Sequence, residues 1–245
     1  MPIYTRETLK TDKLPWVDID DFEFFCLGRA PAGSRSAPAA PTPATNGHTP
    51  YWGTATQTPE PTSRELKPTS PRERLVVLHG EVTVECEFGR FTLKRRDFVE
   101  IPQSGARVTN AGNSSAELAR IAGHWQQVIR NEICLFRPDR PCDYHYHDSD
   151  EYWMVFRGHF TLNYDDNEYE LRPGLMLAAG MGFEHGSVAP EEHFEAVVIA
   201  TQLEGQLRDG HLVRDLHGDP VKNRDVPASA MQAFVKLEPK PAALA

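Results

Sequence analysis

The sequence predicts an all-β chain in two units, and three observations carry that prediction. Residues 75–121 and 131–201 alternate apolar and polar side chains with the period of two that a half-buried strand requires. Glycine-bearing turns punctuate both stretches at short intervals. Between them and the N-terminus, residues 30–71 shift to Pro, Ala, Ser, Thr and Gly, with nine prolines. Such a segment cannot bury enough apolar surface to offset its ordering entropy. The expected division is a first unit over residues 1–124, interrupted at 30–71, and a second over residues 125–245.

In the first unit, Phe22, Phe24, Phe25, Cys26 and Leu27 read as a strand within residues 18–27. Residues 30–50 read as a flexible insertion, with Tyr51 and Trp52 just beyond it. Residues 75–78 start the next strand. After Gly80, Val82, Val84, Cys86 and Phe88 alternate with polar neighbours, and Gly89-Arg90 gives a hairpin signal before residues 91–93. Residues 98–102 and 117–121 supply two further strands.

In the second unit, residues 131–137 form a strand carrying Ile133 and Leu135. Residues 153–156 read as a buried strand. Residues 159–164 follow, with Phe160, Leu162 and Tyr164 on one face and Thr161 and Asn163 on the other. The Asp165-Asp166-Asn167-Glu168 run is a turn that returns the chain to residues 169–171. Residues 175–179 lead into a glycine-rich turn. In the last strand, residues 193–201, Phe194, Ala196, Val198 and Ala200 oppose Glu195, Val197 and Ile199. The chain beyond Gln202 turns polar and reads as a tail over this unit.

The densest chemistry lies between His145 and His185. It runs His145-x-His147-x3-Glu151-x6-Gly158, then Gly174-x5-Gly180-x-Gly182-x2-His185. His145 and His147 are two apart, so on a strand they share a face, and Glu151 follows at an even offset. His185 would return from a neighbouring strand. Three imidazoles and one carboxylate suit a single divalent ion of iron, manganese, nickel, copper, cobalt or zinc. Outside this set, Cys142 reads as a partly buried thiol. His159 and His193 are candidate acid–base groups because imidazole titrates near neutrality. Tyr144, Tyr146, Asp148, Asp150, Tyr152 and Arg157 are candidates to surround the ligands, and Glu184 is a candidate base.

These spacings resemble the two motifs of the cupin superfamily. Its first motif ends in His-x-His, then Glu, then Gly; here His145, His147, Glu151 and Gly158 match. Of the second motif, Gly174, Gly182 and His185 match. Gly180 stands where Pro is usual, Ala189 where Asn is usual, and Asp139 where the first motif opens with Gly. The resemblance covers residues 132–202 at motif strength. It implies a double-stranded β-helix, or jelly-roll, barrel holding one metal on His145, His147, Glu151 and His185. Aligning Gly80 with Gly158, and Pro102 with Gly180, implies a second, degenerate barrel in the first unit, with Lys67, Thr69, Glu73 and Arg107 at the ligand positions. The expectation is therefore a bicupin with one metal-binding domain.

The resemblance implies a metal-dependent enzyme acting on a small oxygenated metabolite, with an iron(II) dioxygenase favoured. A redox-neutral sugar or keto-acid isomerase, epimerase or lyase on the same metal is the alternative. A small-molecule-binding barrel without turnover is third, since no helix-turn-helix pattern accompanies it. Trp153, Met154, Phe156 and Phe183 would suit a dioxygen pocket; Asn163, Tyr164 and Arg157 would suit a sugar. Net charge is −9, from 26 basic and 35 acidic residues, which argues against a nucleic-acid partner. The apolar runs are too short to span a bilayer, the start is polar, and four unpaired-looking cysteines read as reduced thiols. A cytoplasmic homodimer is the expectation.

Overall fold

The computed structural model describes residues 3–29, 61–187, 189–190, 192–201, 208 and 210–222. The expected flexible insertion at 30–50, and Tyr51 and Trp52, lie outside the described residues. The chain is all-β, and it divides into two compact units, Phe22–Gly123 on the one hand and Met1–Asp21 with His124–Ala245 on the other. No helix among the described residues is long and apolar enough to cross a membrane.

The chain opens with β1 (Ile3–Tyr4) and the short helix α1 (Arg6–Asp12), whose start is closed by a capping box between Thr5 and Thr8. The strand β2 (Ile19–Leu27) then leads into the first barrel. There β3 (Ser63–Leu66), β4 (Arg72–His79), β5 (Glu81–Cys86), β6 (Gly89–Lys94), β7 (Phe98–Glu100), β8 (Ala106–Asn110) and β9 (Ala116–Gly123) form two four-stranded sheets. Their orders are β2-β9-β4-β7 and β3-β8-β5-β6. Phe25, Leu27, Leu75, Val77, Val82, Val84, Val108 and Leu118 fill the space between them. The hairpin between β5 and β6 pairs Cys86 with Gly89, so its turn is Glu87-Phe88 and not Gly89-Arg90. The strand β3 lies within the proline-rich stretch, where composition hid four residues of ordinary strand.

The second unit repeats this plan. It comprises β10 (Val128–Phe136), β11 (Cys142–His145), β12 (Asp150–Arg157), β13 (Phe160–Tyr164), β14 (Asn167–Leu171), β15 (Met176–Ala179), β16 (His185–Ser187) and β17 (Phe194–Thr201). A single helical turn, α2 (Arg214–His217), follows. The sheet orders are β1-β15-β12-β17-β10 and β11-β16-β13-β14. Trp153, Val155, Phe160, Leu162, Tyr164, Leu171, Phe194, Ala196 and Val198 form the core. The face carrying Phe160, Leu162 and Tyr164 is thus the inner one. Asp165 and Asp166, both at positive φ, make the two-residue turn between Tyr164 and Asn167.

Residues 1–21 group with the second unit, where the sequence grouping placed them with the first. The reason is strand pairing: Ile3 opposes Leu177 and Tyr4 opposes Met176, which extends the β15 edge. Tyr4 and Leu9 are fully buried there, and Asp18 binds through its backbone N–H to the Tyr152 hydroxyl at 3.0 Å. No periodic signal in a two-residue strand announces this.

The ligand-equivalent positions of the first barrel also differ from the alignment. Glu73 opposes Ala122 as Glu151 opposes Ala200, so the carboxylates correspond. The pairings Leu66–Ala106 and Cys86–Ala106 match His145–His185 and Tyr164–His185. Buried Leu66 and Ala106 therefore take the imidazole positions, one residue before Lys67 and Arg107. A one-residue slip moves a side chain to the other face. Arg107 accordingly points outward, 3.7 Å from Glu65.

Glu73 is fully buried and receives two bonds from Arg120, at 2.7 and 2.6 Å. Arg120 also reaches the Thr69 hydroxyl and the Lys67 carbonyl, each at 3.3 Å. A guanidinium on β9 thus neutralises the carboxylate from inside the barrel. Arg120→Met strands a buried anion and is expected to cost about 3–5 kcal/mol, while Glu73→Gln with Arg120→Met together recover most of that loss. Urea unfolding of the three proteins checks this; equal stability of the single and double variants would contradict it.

Candidate metal centre

The site assembles where the two sheets of the second unit meet. His145 ends β11, and its cross-strand partner is His185, the first residue of β16. His147 follows in the crossing between sheets, and Glu151 is the second residue of β12, in the opposite sheet. The even offset to Glu151 therefore does not reflect a shared strand face: the chain bends at Ser149 and presents the carboxylate from across the barrel. Each of the four residues is 6% exposed or less.

Each imidazole is oriented by a backbone carbonyl. His145 Nδ1 lies 2.7 Å from the Asp143 oxygen, His147 Nδ1 2.8 Å from that of Gly210, and His185 Nδ1 3.0 Å from that of Phe183. A carbonyl only accepts, so each Nδ1 carries its proton and donates it. Each Nε2 then points its lone pair inward. His145 Nε2 and His147 Nε2 are 3.1 Å apart. Glu151 Oε2 lies 3.5 Å from His147 Nε2 and 3.3 Å from His185 Nε2. His185 Nε2 is buried and has no hydrogen-bond donor facing it among the described residues. Acceptors that confront one another at these distances require a cation among them, and the donor set fits a divalent transition metal.

The electrostatics agree. Burial pushes the His145 imidazole down to about 2, helped by His185 and His147 alongside, so it stays neutral. Burial works to raise Glu151, but contacts with His147 and His185 outweigh it and hold the carboxyl well below its usual range. Burial opposes charge on His147 as well, yet the Glu151 carboxylate raises its pKa. Without a metal, one proton held on His147 is the available substitute cation. Trp153 Nε1 donates to Glu151 Oε2 at 2.6 Å and Arg130 Nη1 to Oε1 at 3.2 Å, fixing the carboxylate.

The polar tail supplies a strap that sequence reasoning left as a peripheral cover. Tyr146 and Leu212 exchange two backbone hydrogen bonds at 2.9 and 3.0 Å. Arg208 grips Asp148 with two bonds, at 2.7 and 3.0 Å, and Tyr146 donates its hydroxyl to Gly218 at 2.8 Å. The strap carries Gly210, which orients His147, and His211, whose ring lies parallel on His145 at 3.7 Å. The nitrogen of His211 falls within 4.8 Å of those of His145 and His147. Nothing in the spacing marked His211; a parallel stack on a ligand is a tertiary fact. Cys142 and Asp143 also group with His145, but burial pushes the Cys142 thiol up to about 12.

Several sequence candidates fall elsewhere. His159 and His193 are exposed at the opposite end of β12, roughly 20 Å along the strand from Glu151. His159 pairs there with Glu192 at 2.7 Å, so neither histidine is placed for acid–base work at the cluster. Arg157 shares that end, bound to Glu195 at 2.6 Å. Glu184 is engaged by Arg214, Asp150 accepts from the Met181 N–H at 3.0 Å, and Tyr144 is half-exposed.

No family model matches the chain. A protein of Sinorhizobium fredii named uncharacterized protein y4oW is 27% identical over 164 residues, covering 60% of this chain and 76% of that protein. Among solved structures, a cupin 2 conserved barrel domain protein from Leptotrichia buccalis is similar at 14% identity and a TM-score of 0.37, over 57% of this chain and 78% of that one. Oxalate decarboxylase from Lactobacillus farciminis is similar at 9% identity and a TM-score of 0.44, over 59% and 75%. Both neighbours are cupin-fold proteins.

His147→Ala is expected to abolish stoichiometric metal uptake, because it removes the donor shared by both halves of the cluster. His211→Ala is expected to retain it. Elemental analysis of both variants against the unaltered chain checks this, and full occupancy in His147→Ala would contradict it.

Proposed function

We propose that the second barrel is a mononuclear metal enzyme, that its metal is iron(II), and that it uses dioxygen to oxidise a small oxygenated compound. The observation that carries the metal assignment is the convergence of the His147 and His185 Nε2 lone pairs on one buried carboxylate, with His145 Nε2 3.1 Å from His147 Nε2 and each imidazole oriented by a backbone carbonyl. His145, His147, His185 and Glu151 hold the ion. When bound, iron(II) supplies a redox centre with coordination positions left for dioxygen and for an oxygen-bearing substrate.

The walls favour oxidation over sugar chemistry. Trp153 lies 6.1 Å from His185, edge to face, and Tyr164 stacks on Phe183 at 5.6 Å beside the same histidine. These buried rings exclude water and present apolar surface to a nonpolar gas. Met154 and Phe156 stand on the other face of β12 and contribute nothing here. Of the polar residues a sugar would need, Asn163 is on the outer face of β13 and Arg157 is at the far end of β12, which leaves Tyr164 as the one that turns inward.

Nitric oxide, a dioxygen surrogate, tests the reading without a known substrate. The anaerobically purified protein is expected to hold one iron per chain and to give the electron paramagnetic resonance signal of an iron–nitrosyl. Stoichiometric zinc, manganese or nickel instead of iron would contradict the oxygenase reading and shift weight to an isomerase or lyase on the same ligands.

A further inference from the structure

The metal cluster is sealed on most sides. Tyr146, Trp153, Tyr164 and Phe183 around it are each no more than 3% exposed. Among the described residues, partial exposure returns on the edge strands β10 and β11 and on the strap. Arg130 and Glu132 keep 37% and 40% of their side-chain surface, and Asp143 and His211 keep 58% and 39%. Of these partly exposed groups, Arg130 is the one bonded to the ligand carboxylate Glu151.

Arg130 reaches the centre because of one small residue. Arg130 and Glu151 both oppose Ala200, from either side of β17. The three share one row across the sheet and one face, with about 10 Å between the outer strands. The Ala200 methyl leaves that gap free, and the guanidinium spans it. Its Nε bonds Glu132 at 2.8 Å and its Nη1 bonds Glu151 Oε1 at 3.2 Å.

From this placement we infer that Arg130 is a carboxylate-recognition residue, and that the substrate is a short carboxylic acid with a second oxygen on the neighbouring carbon. This rests on the metal-centre reading above. A planar guanidinium at the mouth of the site offers directed N–H groups to a carboxylate. With a divalent ion on the four ligands, Arg130 offsets one of the carboxylates Glu151, Glu132 and Asp143 around the centre, so an arriving anion meets no net negative charge there. The adjacent oxygen of such an acid turns toward the centre while Arg130 fixes the carboxylate. On its far side the site is closed by Trp153, 3% exposed beside His185, which leaves little room for a long carbon skeleton.

The test is calorimetric and independent of turnover. The protein is loaded with manganese(II), its metal content is measured, and it is titrated with pyruvate and with hydroxyacetone, the neutral analogue. Pyruvate is expected to bind the unaltered chain more tightly than hydroxyacetone. Arg130→Met, titrated once its metal content has been measured, is expected to lose about 10-fold or more in pyruvate affinity, the scale of one hydrogen bond to a charged group, and to lose less in hydroxyacetone affinity. Arg130→Lys, which keeps the charge without the fork, is expected to fall between them. Equal affinity of the unaltered chain for both probes, or unchanged pyruvate binding in metal-loaded Arg130→Met, overturns the assignment. So does loss of metal in Arg130→Met, which would make Arg130 a support for Glu151 only. An unaltered chain that takes up no manganese overturns the metal centre itself, and that result is read before any titration.

Discussion

Three imidazole lone pairs and a carboxylate confront one another inside the second barrel, and the rest of that unit is arranged around this confrontation. Buried acceptors 3.1–3.5 Å apart are repulsive unless a cation lies between them. The fold does not relax the conflict; it enforces it. Pairing of β11 with β16 sets His145 against His185, the crossing to β12 brings Glu151 from the other sheet, and the strap lays the Gly210 carbonyl against His147. Each orienting carbonyl removes the tautomer that would have let an imidazole donate inward. The protein thereby spends part of its stability on a site that only a cation completes.

The two barrels show alternative solutions to one geometric problem. Both place a buried glutamate at the same point of the sheet, Glu73 on β4 and Glu151 on β12. In the first barrel the counter-charge is covalently part of the chain: Arg120 on β9 stands where β17 carries Val198, and Leu66 and Ala106 replace two imidazoles. In the second barrel, Val198 packs in the apolar core and brings no cation, and the imidazoles supply neutral donors. A guanidinium fills the first barrel with its own hydrogen bonds, whereas in the second no such guanidinium stands among the imidazoles.

The sequence made the centre of the site legible and left its surroundings dark, for a physical reason. His-x-His, the downstream Glu and the glycine turns are local patterns, and strand periodicity places them without tertiary knowledge. Even there, Glu151 arrived at the right place by a bend and not by the strand face its offset implied. Arg130, Gly210 and His211 were not legible, because each acts through a contact more than 20 residues away in sequence. His159 and His193 looked eligible by residue type, and only the length of β12 separates them from the chemistry. In the first barrel, alignment through turns was accurate for Glu73 but slipped by one residue at Lys67 and Arg107, which reversed the faces. The N-terminal strand that joins the second unit is two residues long, too short to carry any period.

X-ray absorption at the metal edge of the protein as purified tests the central claim most directly. The account predicts one metal per chain in a shell of nitrogen and oxygen donors at about 2.0–2.2 Å, with the outer-shell scattering of three imidazoles and no sulfur. A sulfur scatterer at about 2.3 Å would place Cys142 in the shell and contradict the ligand set, and a shell with fewer than three imidazoles would contradict the convergence on which the account rests.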